Sequence, residues 1–381
     1  MARVLVTGGC GYIGSHTLVE LIAAGHEPVS IDDCSRSSES ILDGVERITG
    51  KRVRNHKIDL RNASLTDACF SENRDAIAVI HFAAYKTVPE SVAKPLLYYD
   101  NNINSLLNVL ACTDRYRIPC FIFSSSCSVY GNVSERPRTE DRRLKSEART
   151  PNSDVQSPMS KVHGLESSFH RSGELPVTED TPFGEAECPY ARTKQMGEQI
   201  IRDFSKVSES RFVSLRYFNP VGAHPSGQIG EVPYGEPDNL VPRITRAAAS
   251  NLDLLVVHGN DYDTRDGTCI RDYVHVSDIA RAHVLAIDYL TKSSIANRQS
   301  PIAVNLGSGT GTTVLEAIRA FERATGRKLN YRIGPRRAGD AAAVFSDNRK
   351  AEAVLGWRPE FGIEEMMRTA WQWEQAGKGK G

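Results

Sequence analysis

Val4-Leu5-Val6-Thr7-Gly8-Gly9-Cys10-Gly11-Tyr12-Ile13-Gly14-Ser15-His16 is the stretch whose reading decides the fold. The apolar run Val4 to Val6 reads as a buried strand. Glycines follow at 8, 11 and 14, and Ile13, Leu18, Leu21 and Ile22 then recur at helical spacing. Strand, glycine turn and helix in succession make a glycine motif a candidate dinucleotide site. Gly8 permits the tight turn, Gly11 removes a side chain so that pyrophosphate can approach the backbone, and Gly14 lets the helix pack close to the strand. Free N–H groups at the helix start then face the phosphate charge. The spacing is GxxGxxG rather than GxGxxG, and glycines also serve plain turns, so the next segment matters. His26 to Ile31 reads as a second strand that ends in Asp32-Asp33. An acid about 20 positions beyond the glycines can accept from both adenosine ribose hydroxyls. It also repels a 2′-phosphate, which favours NAD over NADP; Arg36 nearby argues the other way.

The chain has 381 residues, enough for a large core and one or two domains. Lys plus Arg equals Asp plus Glu at 47 each, so no basic field points to nucleic acid and no acidic run to a solvating region. No apolar run approaches the ~18 residues of a membrane span. The first strand begins by residue 3, which leaves no room for a signal peptide. Eight cysteines form no CxxC pair and no regular framework, as expected of buried or incidental thiols in a reducing, cytoplasmic setting. The ten histidines are scattered and no metal-ligand spacing occurs.

Further along, Val53 to Ile58 reads as a third strand ending in Asp59, which could hold an adenine amino group or cap the next helix. Ala76 to Phe82 reads as a fourth, running into Phe82-Ala83-Ala84 and Lys86 at the ligand edge. Tyr98 to Tyr116 reads as a helix with an apolar stripe that suits a core. Cys120 to Phe123 reads as a fifth strand, delivering Ser124-Ser125-Ser126-Cys127-Ser128 to the same edge, where so many hydroxyls favour substrate or cofactor contacts over simple capping. Residues 134–175 are rich in Ser, Arg, Glu and Pro and read as a polar surface insertion. Met159-Ser160-Lys161 within it has no tyrosine partner and carries no chemistry.

Pro189-Tyr190-Ala191-Arg192-Thr193-Lys194 opens a helix that runs through Phe204. Tyr190 and Lys194 are i and i+4 and share a face. A lysine ammonium there favours the phenolate and should draw the tyrosine from about 10 toward neutrality, making Tyr190 a usable acid or base. Such pairs also occur on exposed helices; the five preceding Rossmann-type strands and the serine-rich strand end give this one its meaning. Phe212 to Phe218 reads as a sixth strand. Beyond it the alternation loosens into a helix at Leu240 to Ala249 and short strands at Leu254 to His258 and Ala303 to Leu306. Arg271 and the pair Arg336-Arg337 lie on loops there and suit a diphosphate. The reading is an α/β fold, a doubly wound parallel Rossmann sheet with a smaller interleaved α/β substrate domain. Its NAD-binding part is 1–218, its mainly substrate-binding part 219–376, and 377–381 is a frayed tail.

TGGCGYIGSH, IHFAAYKTVPES, YYDNN, FSSSCSVYG, PYARTK, LRYFNPVGAHPSG, DNLVPRI, GNDYDTRDGTCIRDYVHVSD, NLGSGTG and PRRAGD resemble, in order and over nearly the whole chain, the UDP-galactose 4-epimerases of the extended short-chain dehydrogenase/reductase type. The stretch between Gly131 and Tyr190 has no counterpart there for most of its length. The resemblance implies that Gly8, Gly11, Tyr12, Ile13 and Gly14 cradle NAD pyrophosphate. Asp32 would hold the adenosine ribose, and Asp59 with Leu60 the adenine. Phe82, Ala83, Lys86 and Asn101 would line the cofactor, with Tyr217 and Phe218 near the nicotinamide. Ser126 would bond the sugar's 4-hydroxyl, Tyr190 would act as base, and Lys194 would hold the nicotinamide ribose and tune Tyr190. Asn219, Asn239, Leu240, Arg271, Tyr273, Arg337 and Asp340 would grip the UDP-sugar, with Lys86 also at the substrate. It implies further that hydride leaves and returns to C4 through a 4-keto sugar, inverting UDP-glucose and UDP-galactose, and that two copies pair through helices around 98–116 and 190–206.

Members confined to unsubstituted hexoses often carry a tyrosine four residues after the aspartate of PRRxGD. Val344 holds that place, so the expected substrates extend to UDP-GlcNAc and UDP-GalNAc. Three rivals remain. A 4,6-dehydratase needs an acid pair just after the hydroxyl of the fifth strand, where Cys127-Ser128 stand. A UDP-glucuronate decarboxylase fits the matched blocks less well. A non-catalytic NAD or UDP-sugar binding module would have no need of Ser126, Tyr190 and Lys194.

Overall fold

The computed structural model describes residues 1–132, 176–250, 254–292, 301–337 and 340–377. The expected insertion at 134–175, Met159-Ser160-Lys161 with it, and the tail from 378 lie outside them.

Runs of two-sided apolar residues make a parallel sheet, because helices cover both of its faces. Its strands are β1 (Arg3–Thr7), β2 (Glu27–Ile31), β3 (Asn55–His56), β4 (Ala78–His81), β5 (Cys120–Ser126) and β6 (Arg211–Tyr217). Next in the chain come β7 (Asn219–Val221), β8 (Leu255–His258), β9 (Ile270–Arg271), β10 (Tyr273–His275) and β11 (Ile302–Leu306). The large sheet has the order β11-β6-β5-β4-β1-β2-β3, parallel throughout. The helices are α1 (Tyr12–Ala23), α2 (Ile41–Thr49), α3 (Ala63–Glu72), α4 (Val88–Ala93), α5 (Pro95–Arg115), α6 (Pro189–Phe204), α7 (Leu240–Ser250) and α8 (Val276–Lys292). Side chains alternate along β1. Val4 and Val6 join Leu18, Leu21, Ile279 and Ile287 under α1 and α8, while Leu5 joins Phe70, Leu106, Val109 and Ile201 under α3, α5 and α6. The strand order reverses between β1 and β4, so the crevice outside their carboxyl ends is where such a sheet takes its ligand.

The third strand is shorter than expected. Only Asn55 and His56 pair, with β2, and exposed Arg52 and Arg54 flank them in a polar edge segment. The segment Ala303 to Leu306 lies elsewhere than its place in the chain suggests. It is β11, the outer strand of the large sheet, with Leu306 opposite Tyr217. The chain thus leaves the large sheet after β6 and returns to it through α8 and β11.

Small sheets and helices fill the remainder. They include β12 (Thr312–Thr313), β13 (Tyr331–Gly334), β14 (Ala343–Val344), α9 (Val314–Thr325), α10 (Arg349–Leu355) and α11 (Ile363–Gln375). A second core cluster joins Ile244, Leu255, Tyr273, Phe321, Met367 and Trp371. Thr313 and Glu316 cap α9 reciprocally. Asp272, wholly buried between β9 and β10, accepts from Ser308 and Ser346 through both backbone and hydroxyl. Those four bonds fix two loops beside the carboxyl edge of the sheet. No helix among the described residues is long and apolar enough to cross a membrane. All eight cysteines are free thiols.

Candidate active site

A cleft of about 490 Å³ opens over the carboxyl ends of β1, β2, β4, β5 and β6. Its first wall is the glycine turn. Gly8 has φ +72°, and its N–H donates to Ile31 O at 2.8 Å. A Cβ there would stand 2.9 Å from Ala83 N, so the turn tolerates no side chain. At Gly14 a Cβ would collide with the Gly8 carbonyl oxygen, while at Gly11 it would meet only that oxygen, at 3.1 Å, and otherwise point into open space. Gly9, not singled out from the sequence, is also obligatory, since a Cβ would strike the Ser30 hydroxyl. Gly11 is the N-cap of α1 and offers no side-chain acceptor, so the first-turn N–H groups remain available at the cleft wall. This cradle fits a pyrophosphate.

Asp32, at the end of β2, is held by Cys10 N at 3.0 Å, Cys34 N at 2.9 Å and Ser37 Oγ at 2.9 Å. Burial holds its pKa above the usual carboxylate value, and these bonds offset part of that rise. Its carboxylate is thereby fixed at the cleft wall, with one acceptor site left on Oδ2 for a ribose hydroxyl. Arg36 does not compete for a phosphate there. It forms a bidentate pair with Glu90 (2.6 and 3.0 Å) and lies between the rings of Tyr85 and Tyr234, at 4.1 and 4.2 Å. Asp59 and Leu60 line the same end. Asp59 is not the helix cap that its position allowed: Asn62 caps α3 by accepting from Leu65 N, and Asp59 binds Arg61, which lowers its pKa. Phe82, Ala83, Lys86 and Asn101 line the middle of the cleft. Lys86 pairs with Glu231 at 3.0 Å across it. Buried Asn102, unforeseen, ties the Tyr85 backbone and Thr193 of α6 to α5.

Ser126, Tyr190, Lys194, Tyr217 and Phe218 meet at the far end. Pro189 starts α6 with Cys188 as N-cap, which brings Tyr190 and Lys194 onto the face toward β5. The ammonium of Lys194, buried, donates to Ser124 O at 2.6 Å and stands 5.9 Å from the Tyr190 ring centre. Ser126 Oγ accepts from Ser128 N at 3.2 Å, capping a short 3-10 turn at Cys127–Tyr130, and keeps its own proton for another acceptor. Tyr190 departs from the sequence expectation. Burial pushes its phenol well above 10, and contact with the Ser126 hydroxyl opposes this without reversing it. Lys194 in turn is lowered by burial to about 8, while Glu198 works to raise it. Tyr217 donates to His283 Nε2 at 2.6 Å, because His283 Nδ1–H is spent on Ile279 O.

The residues expected at the sugar nucleotide divide. Asn219 and Asn239 reach the cleft wall. Leu240, Arg271, Tyr273, Arg337, Asp340 and Val344 do not line that cavity. Asn219 links the groups through its Nδ2 bond to Asp272 O at 2.9 Å and through the pairing of β7 with β10, where it faces Tyr273. Arg271 pairs with Asp340 at 3.1 Å, and Val344 sits opposite Arg271 on β14. Val344, like Cys127 and Phe183, also packs against the buried cluster of Val129, Tyr130, Val177 and Phe218. Among the described residues no cluster of three His, Cys, Asp or Glu could hold a metal ion.

A parallel sheet that reverses over a glycine turn, and sets a tyrosine and lysine one helical turn apart at the other end of its cleft, places the chain among the extended short-chain dehydrogenases/reductases. Residues 4–154 match the NAD dependent epimerase/dehydratase family and residues 166–370 the family described as GDP-mannose 4,6 dehydratase. Within that class the chain belongs to the UDP-glucose 4-epimerase family. It is 42% identical over 374 residues to the UDP-glucose 4-epimerase of Bacillus subtilis, covering 98% of this chain and 97% of that one. A solved UDP-glucose-4-epimerase from Stenotrophomonas maltophila, with bound NAD and formylated UDP-arabinopyranose, superposes with a TM-score of 0.84 at 39% identity over 99% of both chains. The UDP-Glc/GlcNAc 4-epimerase of Campylobacter jejuni superposes with a TM-score of 0.76 at 31% identity, over 99% of this chain and 100% of that one.

Proposed function

We propose that the chain interconverts UDP-glucose and UDP-galactose by inverting the sugar at C4, with NAD as its resident cofactor. The meeting of Ser126, Tyr190 and Lys194 opposite the glycine turn and Asp32 carries this reading. When bound, NAD supplies the acceptor and then the donor of the hydride at the sugar's C4. The glycine turn and the α1 start hold its pyrophosphate, Asp32 its adenosine ribose, Asp59 and Leu60 its adenine, and Lys194 its other ribose. Phe82, Ala83, Asn101 and Tyr217 complete the cofactor wall. Tyr190 takes the proton of the sugar's 4-hydroxyl, directly or through Ser126, and later returns it. Burial disfavours its phenolate and the hydrogen bond with Ser126 favours it.

Asn219, Asn239, Leu240, Arg271, Tyr273, Arg337 and Asp340 grip the uridine diphosphate, with Lys86 at the cleft's rim and Phe218 beside the sugar. Holding the nucleotide far from the reacting atom leaves the sugar free to present either face. The 4,6-dehydratase reading lacks its acid pair, since Cys127 and Ser128 occupy those places.

Val344 extends the substrates to UDP-GlcNAc and UDP-GalNAc. The Campylobacter jejuni relative, named for both sugar types, supports this extension, as does the small side chain packed against the cluster that contains Phe218. The test is a coupled assay of purified protein with UDP-galactose and UDP-GalNAc offered separately and no NAD added. Conversion of both is expected. Conversion of neither, even with NAD supplied, would favour the non-catalytic binding module.

The chain also forms a homodimer through α5 and α6 in this reading. These helices pack side by side and leave Leu107 and Met196 exposed. Replacing Leu107 with Arg should yield, by light scattering, the 42.0 kDa of a single chain where the parent gives twice that. A dimeric L107R would move the interface elsewhere.

A further inference from the structure

We propose that Glu198 is a positioning residue for the epimerisation, fixing the serine-bearing end of β5 against the Tyr190–Lys194 face of α6 through Ser125 and Arg216. The proposal rests on the epimerase reading above.

The geometry is a closed polar unit beneath the cleft. Glu198 lies one helical turn beyond Lys194 and two beyond Tyr190, on the same stripe of α6. Its Oε1 accepts from Ser125 Oγ at 2.5 Å and from Arg216 Nε at 2.9 Å, and its Oε2 accepts from Arg216 Nη2 at 2.7 Å. Both side chains are only 4% exposed. Arg216 stands opposite Ser125 in the β5–β6 register. Its Nη1 donates onward to Tyr130 OH at 2.8 Å, and Tyr130 donates to Asn305 Oδ1 on β11 at 2.6 Å. One connected set of bonds therefore spans α6, β5, β6 and β11.

Two struts tie the helix to the strand end. Lys194 holds the carbonyl of Ser124, and Glu198 holds the hydroxyl of Ser125. Ser126 follows directly, so its hydroxyl inherits its position from both. Without the second strut the strand end can shift while Lys194 still holds Ser124. A displacement of about 1 Å at a reacting group costs roughly 100-fold in rate. Glu198 also supplies the nearby anion that favours a charged Lys194 in a buried place.

The experiment compares S125A, S125T and E198Q with the parent chain, measuring kcat and KM for UDP-galactose and the NAD that stays with each purified protein. S125A is decisive, because it cuts the strut and leaves the Arg216–Glu198 pair and its packing intact. The expected result is a kcat about 10-fold lower in S125A and about 100-fold lower in E198Q, with KM and bound NAD unchanged, and recovery in S125T, which keeps the hydroxyl. A merely structural role would instead lower NAD content and the active fraction together. Parental kcat in S125A would overturn the proposal, as would S125T as impaired as S125A. The parent chain's own turnover reports on the epimerase reading separately.

Discussion

Tyr190→Phe lowers kcat by about 1,000-fold and leaves NAD bound. The size follows from what the oxygen is asked to do. A positioned acid or base contributes about 10²- to 10⁴-fold, and the described residues beside the reacting end offer no ready substitute. Lys194 is committed to Ser124 O, and Ser126, with an unactivated hydroxyl, can relay a proton but not keep it. His81 on β4 is lowered by burial to about 3 and hydrogen-bonds Thr7, its register partner on β1. The fold should not notice the change. The ring stays in its place at the start of α6, and the lost hydroxyl leaves behind only Ser126, which still caps its 3-10 turn. NAD retention follows because the cradle at Gly8, Gly11 and Gly14 and the carboxylate of Asp32 lie at the other end of the cleft. The check is turnover of UDP-galactose together with the nicotinamide nucleotide released on denaturation. Turnover within tenfold of the parent would remove Tyr190 from the proton transfer; loss of NAD would make it a binding residue first.

The sequence carried much of this because the decisive signals are local. A glycine at φ +72° followed by a helix start needs only about ten residues to declare itself, and Asp32 declares itself by distance from them. Tyr190 and Lys194 are legible because helical spacing fixes their common face. What the sequence hid is long-range. β11 looks like one more short strand of the carboxyl-terminal part, yet it pairs with β6, and nothing in its own pattern names that partner. Glu198 looks like an ordinary polar position on an amphipathic helix, and only the arrival of Arg216 from the next strand shows that it is buried. The Tyr190-x-x-x-Lys194-x-x-x-Glu198 period was the available hint. The direction of the Tyr190 shift differs from the sequence expectation for the same reason. Spacing reveals the lysine, whereas desolvation depends on how much of the fold closes around the phenol. Arg36, ambiguous as a phosphate reader, becomes clear once Glu90, Tyr85 and Tyr234 are seen around it.

Val344→Tyr should separate the two substrate classes. Val344 lies on β14, one strand from Arg271, and packs against the buried cluster of Val129, Tyr130, Val177 and Phe218, as Cys127 and Phe183 do. Cys127 and Phe218 also line the cleft, so a larger side chain at 344 presses toward the place where the sugar sits. A tyrosine there leaves an unsubstituted 2-hydroxyl tolerable and sets its ring against a 2-acetamido group. Forcing extra atoms into a packed site costs about 1–3 kcal/mol, which is about 5- to 150-fold in kcat/KM. The expected outcome is a loss of that size for UDP-GalNAc, with UDP-galactose within about threefold of the parent, since hexose binding makes no use of the space. Phe183 gives the experiment its second arm, because it packs against the same buried cluster from the loop before α6. If the parent already refuses UDP-GalNAc, Phe183→Ala should admit it. If V344Y and the parent treat both substrates alike, position 344 does not face the sugar. The selectivity would then lie with the Cys127 and Phe218 wall, and the comparison with tyrosine-bearing relatives would lose its force for this chain.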